Sequence, residues 1–217
     1  GGISELVKEI VYSEEDLKEP ILLDDFERYY LSFCLEAKGE GELKIGALHK
    51  RFSHGPFGEM TIGAQTLRDS KRQEIFAYFH PGDLKPPLNI YFSGYRPAEG
   101  FEGFVMMRRM GSPFILFSDP RLEGGSFYMG SQELEDQIVA YIDQHLDWLG
   151  FGPKEMNFSG LSMGTFGALY YGASYSPHAI LVGKPIINLG DVAANLKFKR
   201  PDEFGTSLDM MQLLVGQ

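Results

Sequence analysis

From about residue 21 to residue 80 apolar positions alternate with polar ones, in Tyr29-Leu31-Phe33-Leu35, Leu43-Ile45-Ala47 and Ile75-Ala77-Phe79. Period two is the mark of a strand with one buried face, because successive side chains point to opposite sides of a sheet. Turn-forming residues interrupt the alternation at Lys38-Gly39-Glu40-Gly41 and at His54-Gly55-Pro56. The pattern therefore predicts antiparallel strands packed as a small β-sandwich, jelly-roll-like, over residues 21–85. The stretch Pro81-Gly82-Asp83-Leu84-Lys85-Pro86-Pro87 breaks every regular element and marks a domain boundary.

After that boundary the pattern changes to continuous apolar runs separated by helical stretches. Leu88-Asn89-Ile90-Tyr91-Phe92, Phe114-Ile115-Leu116-Phe117, the run around Met156-Asn157-Phe158 and Ala179-Ile180-Leu181-Val182 read as strands buried on both faces. Between them, residues 131–149 place Leu134, Ile138, Tyr141, Ile142, Leu146 and Leu149 on one helical stripe. Ser131 is a capping residue at its start, Glu133, Glu135 and Asp136 lie near its positive end, and Gly150 can close it. The order is that of an α/β domain over residues 86–217 with a parallel sheet. Only four parallel strands are legible, so the sheet reads as incomplete.

Gly160-Leu161-Ser162-Met163-Gly164 joins the third of those strands to the helical run Thr165-Phe166-Gly167-Ala168-Leu169-Tyr170-Tyr171. Glycine, any residue, serine, any residue, glycine at a strand-to-helix turn is the pattern of a nucleophile elbow, in which a strained backbone exposes the serine hydroxyl above the sheet. The fold class predicted is thus α/β, an α/β-hydrolase-like parallel sheet preceded by the sandwich, with Ser162 as nucleophile. A tetrahedral oxyanion needs donors. One is the amide of the residue after the serine, Met163, and the other comes from the loop after an earlier strand, here Ser93-Gly94-Tyr95-Arg96, which makes Gly94 or Tyr95 the second candidate.

A base is harder to find, because the triad of such enzymes runs serine, acid, histidine in chain order and His178 is the only histidine after Ser162. An elbow helix of some ten residues carries the chain about 15 Å down from the serine. His178 then re-enters the sheet at the wrong end and reads as structural. His145 lies beside the apolar stripe of its helix, and His49, His54 and His80 fall in or at the exit of the β-rich part. Asp119 and Asp191 each follow a strand and are the candidate acids at the carboxyl edge, where sites of open α/β sheets form.

Composition adds exclusions. No zinc spacing, phosphate loop or dinucleotide fingerprint is present, so no metal or cofactor is implied. Residues 1–27 carry nine acidic side chains against Lys8 and Lys18, within a chain of formal charge -10. That argues against nucleic acid as a partner and marks residues 1–20 as an acidic linker or edge. The basic cluster Lys197-Phe198-Lys199-Arg200 reads as solvated surface. No apolar run is long enough to span a bilayer, and no signal peptide is visible. The lone cysteine, Cys34, sits in the first alternating run and is expected to be a small buried thiol; a single cysteine favours a reducing compartment. The start at Gly1-Gly2-Ile3, without methionine, is expected of a piece of something longer.

Asn157-Phe158-Ser159-Gly160-Leu161-Ser162-Met163-Gly164-Thr165-Phe166-Gly167-Ala168-Leu169-Tyr170-Tyr171-Gly172, together with Gly183-Lys184-Pro185-Ile186-Ile187-Asn188-Leu189-Gly190, resembles the accessory secretory protein of the second Asp type, a family of the accessory Sec export systems of streptococci and staphylococci. The resemblance runs over most of the chain. It implies a cytoplasmic protein, peripheral at the membrane with other accessory Sec proteins, which acetylates N-acetylglucosamine on serine-rich-repeat adhesins and supports their export. By it Ser162 is the nucleophile. The family's acid and histidine lie well downstream, and the chain stops at Gln217 before any matching position. The acyl donor is left open, and a carbohydrate or lipid esterase and a non-catalytic export scaffold remain as alternatives.

Overall fold

The computed structural model describes residues 6–19, 21–23, 31–42, 63–96, 99–121 and 126–190. The chain divides into two compact units, residues 1–43 and residues 44–217.

In the first unit one turn of 3-10 helix, Asp16–Lys18, is closed by the Asp16 carboxylate, which accepts from both the amide and the hydroxyl of Ser13. Residues 31–42 contain no strand and are exposed throughout. The alternation of Leu31, Phe33 and Leu35 therefore produces no buried face, and Cys34, expected in a core, is exposed. Alternation specifies a strand only where a second surface covers one side of it. The run Leu43-Ile45-Ala47 and the histidines His49 and His54 lie outside the described residues.

The second unit is built on one six-stranded sheet. Its elements are β1 (Gln65–Arg68), β2 (Glu74–His80), β3 (Leu88–Phe92), α1 (Phe104–Met110), β4 (Phe114–Ser118), α2 (Gln132–Leu149), β5 (Met156–Leu161), α3 (Gly164–Tyr175) and β6 (Ala179–Gly183). The strand order is β1-β2-β4-β3-β5-β6. Strands β4, β3, β5 and β6 run parallel, as their continuous apolar runs predicted, whereas β1 and β2 join antiparallel at the β4 edge. This is an α/β-hydrolase-like sheet. Ile75-Ala77-Phe79, read above as part of a separate sandwich, is thus a strand of the same sheet, and Pro81–Pro87 is a turn inside the unit. Strand β2 lies between β1 and β4 and is buried from Glu74 to Tyr78, so its alternation marked a strand without marking the sheet to which it belongs.

Helices cover both faces. On one face Ile75, Ala77, Leu88, Ile90, Phe92, Ile115, Phe117, Met156 and Phe158 pack against Leu134, Ile138, Tyr141, Ile142 and Leu146 of α2 and Ala168 and Tyr171 of α3. On the other, Tyr78, Tyr91, Phe114 and Leu116 pack with Met107 of α1 and with Phe101 and Phe104. Helix α2 runs from Ser131, whose hydroxyl accepts from the Leu134 amide, to Gly150 in the left-handed conformation, as its sequence predicted. Helix α1 was not legible. It is two turns long, and its apolar residues Val105, Met106 and Met110 remain exposed, so it shows no clean stripe.

Candidate active site

Ser162 stands at the carboxyl edge of the sheet, between β5 and α3, with φ at 55°. A non-glycine residue in the left-handed region is strained and persists only when its surroundings fix it. Here four contacts do so. The Ser162 amide donates to the Gly183 carbonyl at 2.9 Å, and the Ser162 carbonyl accepts from the Thr165 amide at 3.0 Å. The Thr165 hydroxyl, fully buried, also donates to the Ser162 carbonyl at 2.6 Å, while accepting from the Ile186 amide at 3.0 Å. The turn is tight enough that only glycine fits beside it. A Cβ on Gly160 would strike the Gly164 carbonyl, and one on Gly164 would strike the Phe92 carbonyl. The serine side chain is half-exposed, and Met163 beside it is buried. Met163 lies at the start of α3, where amides have no carbonyl one turn back, so its N–H belongs to the set a helix leaves for caps, water or ligands.

The loop after β3 comes to the same place. Phe92 pairs with Gly160 across the sheet. Two residues on, the position of an absent Cβ on Gly94 lies 3.2 Å from the Leu161 carbonyl and 3.8 Å from Cβ of Ser162. Gly94 is thus beside Ser162, in the place where an oxyanion loop belongs in an elbow fold. The Gly94 amide donates to Oε2 of Glu102 at 2.7 Å. Glu102 had no signal in the sequence, since nothing in its spacing ties it to the β3 loop.

Over residues 1–217 the sequence matches the family described as Accessory Sec system GspB-transporter. The chain belongs to that accessory Sec family. It is 51% identical over 216 residues to an accessory Sec system protein of Streptococcus gordonii, covering 100% of this chain and 42% of that protein. It is 50% identical over 213 residues to one of Staphylococcus aureus, covering 97% of this chain and 41% of that protein. The chain therefore spans about two fifths of the length of these relatives. A solved chain of the Glycosylation Associate Protein complex from Streptococcus agalactiae is 52% identical, with a TM-score of 0.66 over 72% of this chain and 30% of that one. The second block of residues that carried the resemblance, Gly183 to Gly190, is the one that clamps the elbow, through the Gly183 carbonyl and the Ile186 amide.

The remaining candidates of this accessory Sec chain fall in different places. Asp119 is at the carboxyl edge, just past β4, but its carboxylate is fully buried and committed. It accepts from Nε and an Nη of Arg121 at 2.9 and 2.8 Å and from the Tyr128 amide at 2.9 Å. That makes Asp119 the anchor of a buried ion pair, and none of its hydrogen bonds among the described residues is to a histidine. Arg121 in turn donates to the Met129 carbonyl and to Gln73, at 2.5 Å each. Asp191 lies outside the described residues. His178 is exposed, and its amide bonds to the carbonyl of Met156, the first residue of β5 and the end of that strand away from Ser162. His80 pairs with Phe114, the first residue of β4, and stacks on its ring at 5.0 Å. His145 packs on Phe79 and Tyr141 at ring distances of 4.1 and 4.4 Å. None of the three histidines among the described residues stands at the elbow.

Sequence reading also missed Tyr128. Its buried hydroxyl donates to the Ser93 carbonyl at 2.6 Å and lies 3.2 Å from that of Phe117. Burial and the adjacent Asp119 carboxylate hold this phenol well above its ordinary range, so it remains a donor. Its own carbonyl accepts from the Tyr171 hydroxyl of α3 at 2.7 Å. Tyr128 therefore ties the β3 loop, β4 and the elbow helix to one another.

Proposed function

We propose that this chain carries the nucleophile and oxyanion loop of a serine acyltransferase that acetylates N-acetylglucosamine on serine-rich-repeat adhesins, within an accessory Sec export system. The observation that carries the reading is the left-handed Ser162 at the strand-to-helix turn, clamped on both sides of its backbone. Such strain has a use where a hydroxyl must be held out of the helix and above the sheet. The family membership supplies the export context, and the likeness to a chain of a glycosylation-associated complex supports a glycan as the acceptor.

In this reading Ser162 Oγ attacks the acetyl carbonyl of a donor, its proton passing to a base. The carbonyl oxygen becomes an oxyanion facing the Met163 and Tyr95 amides, since the Gly94 amide is already given to Glu102. Collapse expels the donor's leaving group, which takes that proton from the base, and leaves an acetyl ester on Ser162. A sugar hydroxyl then attacks that ester, gives up its proton to the base, and departs with the acetyl group as the base returns the proton to Oγ. The base and its acid are supplied from outside the described residues. Other accessory Sec proteins are the expected partners, at the inner face of the membrane. Among the described residues no helix is long and apolar enough to cross a membrane.

The test is Ser162→Ala in the intact protein. A half-exposed hydroxyl contributes little packing, so the variant is expected to keep the wild-type melting temperature and lose acetyl transfer, read by mass spectrometry of adhesin glycans. Unchanged acetylation removes Ser162 from the chemistry.

A further inference from the structure

The β3 loop is held by a carboxylate that has no part in the reaction just described. Glu102 and the loop grip each other at two points. Oε2 of Glu102 accepts from the Gly94 amide at 2.7 Å, and the Glu102 amide donates to Oγ of Ser93 at 3.1 Å. The Tyr91 hydroxyl is a further partner of the carboxylate. Burial first, and then the Glu102 charge and hydrogen bond, raise that phenol well above its ordinary value, so it stays protonated and donates. Tyr91 is itself buried in the second face of the sheet beside Met107 of α1. The grip is therefore anchored in packed structure on one side and reaches the elbow on the other. Oε2 stands 3.3 Å from the absent Cβ of Gly94, a point that Cβ of Ser162 approaches to 3.8 Å.

Two charge-assisted or reciprocal bonds at successive residues fix the orientation of the peptide planes they involve, as a capping box does at a helix start. Fixing the Ser93-Gly94 peptide sets the direction of the next one, which carries the Tyr95 N–H. We infer that Glu102 is a positioning residue for acyl transfer: by binding the Gly94 amide it holds the loop beside Ser162 and sets the direction of the next peptide, whose Tyr95 amide is the donor presented to an oxyanion. The inference rests on the acyl-transfer reading above. Glu102 does not touch the reacting atoms; it acts through the loop. The negative charge is incidental to this role and is unfavourable to a nearby oxyanion, so reach and acceptor geometry are what the role requires.

That separation of reach from charge gives the experiment. In the intact protein, p-nitrophenyl acetate turnover and the rate of Ser162 labelling by a fluorophosphonate are measured for wild type, Glu102→Ala, Glu102→Gln and Glu102→Asp. Loss of loop placement costs about 10- to 100-fold in transition-state stabilisation. Glu102→Ala is expected to lose that much in kcat and in labelling rate while KM barely moves. Glu102→Gln, which keeps the reach and an acceptor oxygen, recovers most of the loss. Glu102→Asp keeps the charge but is one methylene short, and stays slow. A Glu102→Asp variant as fast as Glu102→Gln, or a Glu102→Ala variant that turns over at or above the wild-type rate, overturns the inference. If Glu102→Ala fails to fold, the comparison of Glu102→Gln with Glu102→Asp still decides. A wild-type protein that takes no label at Ser162 removes the acyl-transfer reading and this role with it, an outcome distinct from equal labelling of all four proteins.

Discussion

Ser162 keeps a conformation that serine avoids because neighbouring backbone and Thr165 accept or supply each of its main-chain hydrogen bonds. Tyr128 does the corresponding service for the loop opposite, at the cost of a buried hydroxyl that must be satisfied. Tyr128→Phe would leave the Ser93 carbonyl without that donor, whereas the Phe117 carbonyl keeps the Ser93 amide at 3.0 Å. One buried acceptor left unpaired costs about 1–3 kcal/mol. The variant is expected to melt lower by that amount in denaturant titration and to label more slowly at Ser162, since the loop loses one of its ties. Unchanged stability would mean that water replaces the phenol. At this scale the sequence was informative where chemistry is coded locally. The elbow at Ser162 and Met163 and the approach of Gly94 to it follow from a five-residue pattern and a strand end. Glu102, Tyr128 and Thr165 were invisible because each acts on a residue brought to it by the sheet. Asp119 was selected for its position after β4, which is correct, and turned out to be bound to Arg121, two residues on, a pairing that position alone does not reveal.

Among the elements, α2 carries a histidine into a half-buried aromatic setting. His145 sits one turn after Tyr141, its Nδ1 2.7 Å from the Tyr141 carbonyl, with Phe79 of β2 against its ring. Burial lowers its pKa below the ordinary 6.5, the contact with the carbonyl opposing in part. A histidine whose folded value is depressed binds fewer protons than the unfolded chain, so its contribution is complete above the unfolded value and lost as pH falls through it toward the folded one. Stability is expected to decline as pH drops below about 6.5, and His145→Gln to flatten that decline in a series of melts. An identical slope in both proteins would assign the acid sensitivity to other groups. The helix itself, its cap and its closing glycine were legible from spacing alone, as were the four parallel strands. Strand β2 was legible as a strand but not as a member of this sheet, because its alternation is silent on what buries it, and β1 was not singled out. Helix α1, short and exposed on its apolar side, gave no periodic signal.

For the whole molecule, the site belongs to no single stretch of chain. The loop after β3 and the elbow after β5 face each other only because Leu88 to Phe92 pair in parallel with Met156 to Gly160. Strand β4, α1 and α2 all lie between those partners in sequence. Bringing such distant segments together carries a loop-closure cost that adjacent strands avoid, and non-local pairings of this kind form slowly. The complete elbow is thus a late product of assembly. Until β5 pairs with β6 the Gly183 carbonyl cannot hold the Ser162 amide, and until β5 seats against β3 Gly94 does not stand beside the serine. During refolding of the intact protein from urea, fluorophosphonate pulses are expected to label Ser162 only as the β5 amides become protected from hydrogen exchange. Labelling that runs ahead of that protection would show that the elbow forms on its own. On the acyl-transfer reading proposed above, a nascent chain built this way would stay chemically silent until its fold is complete.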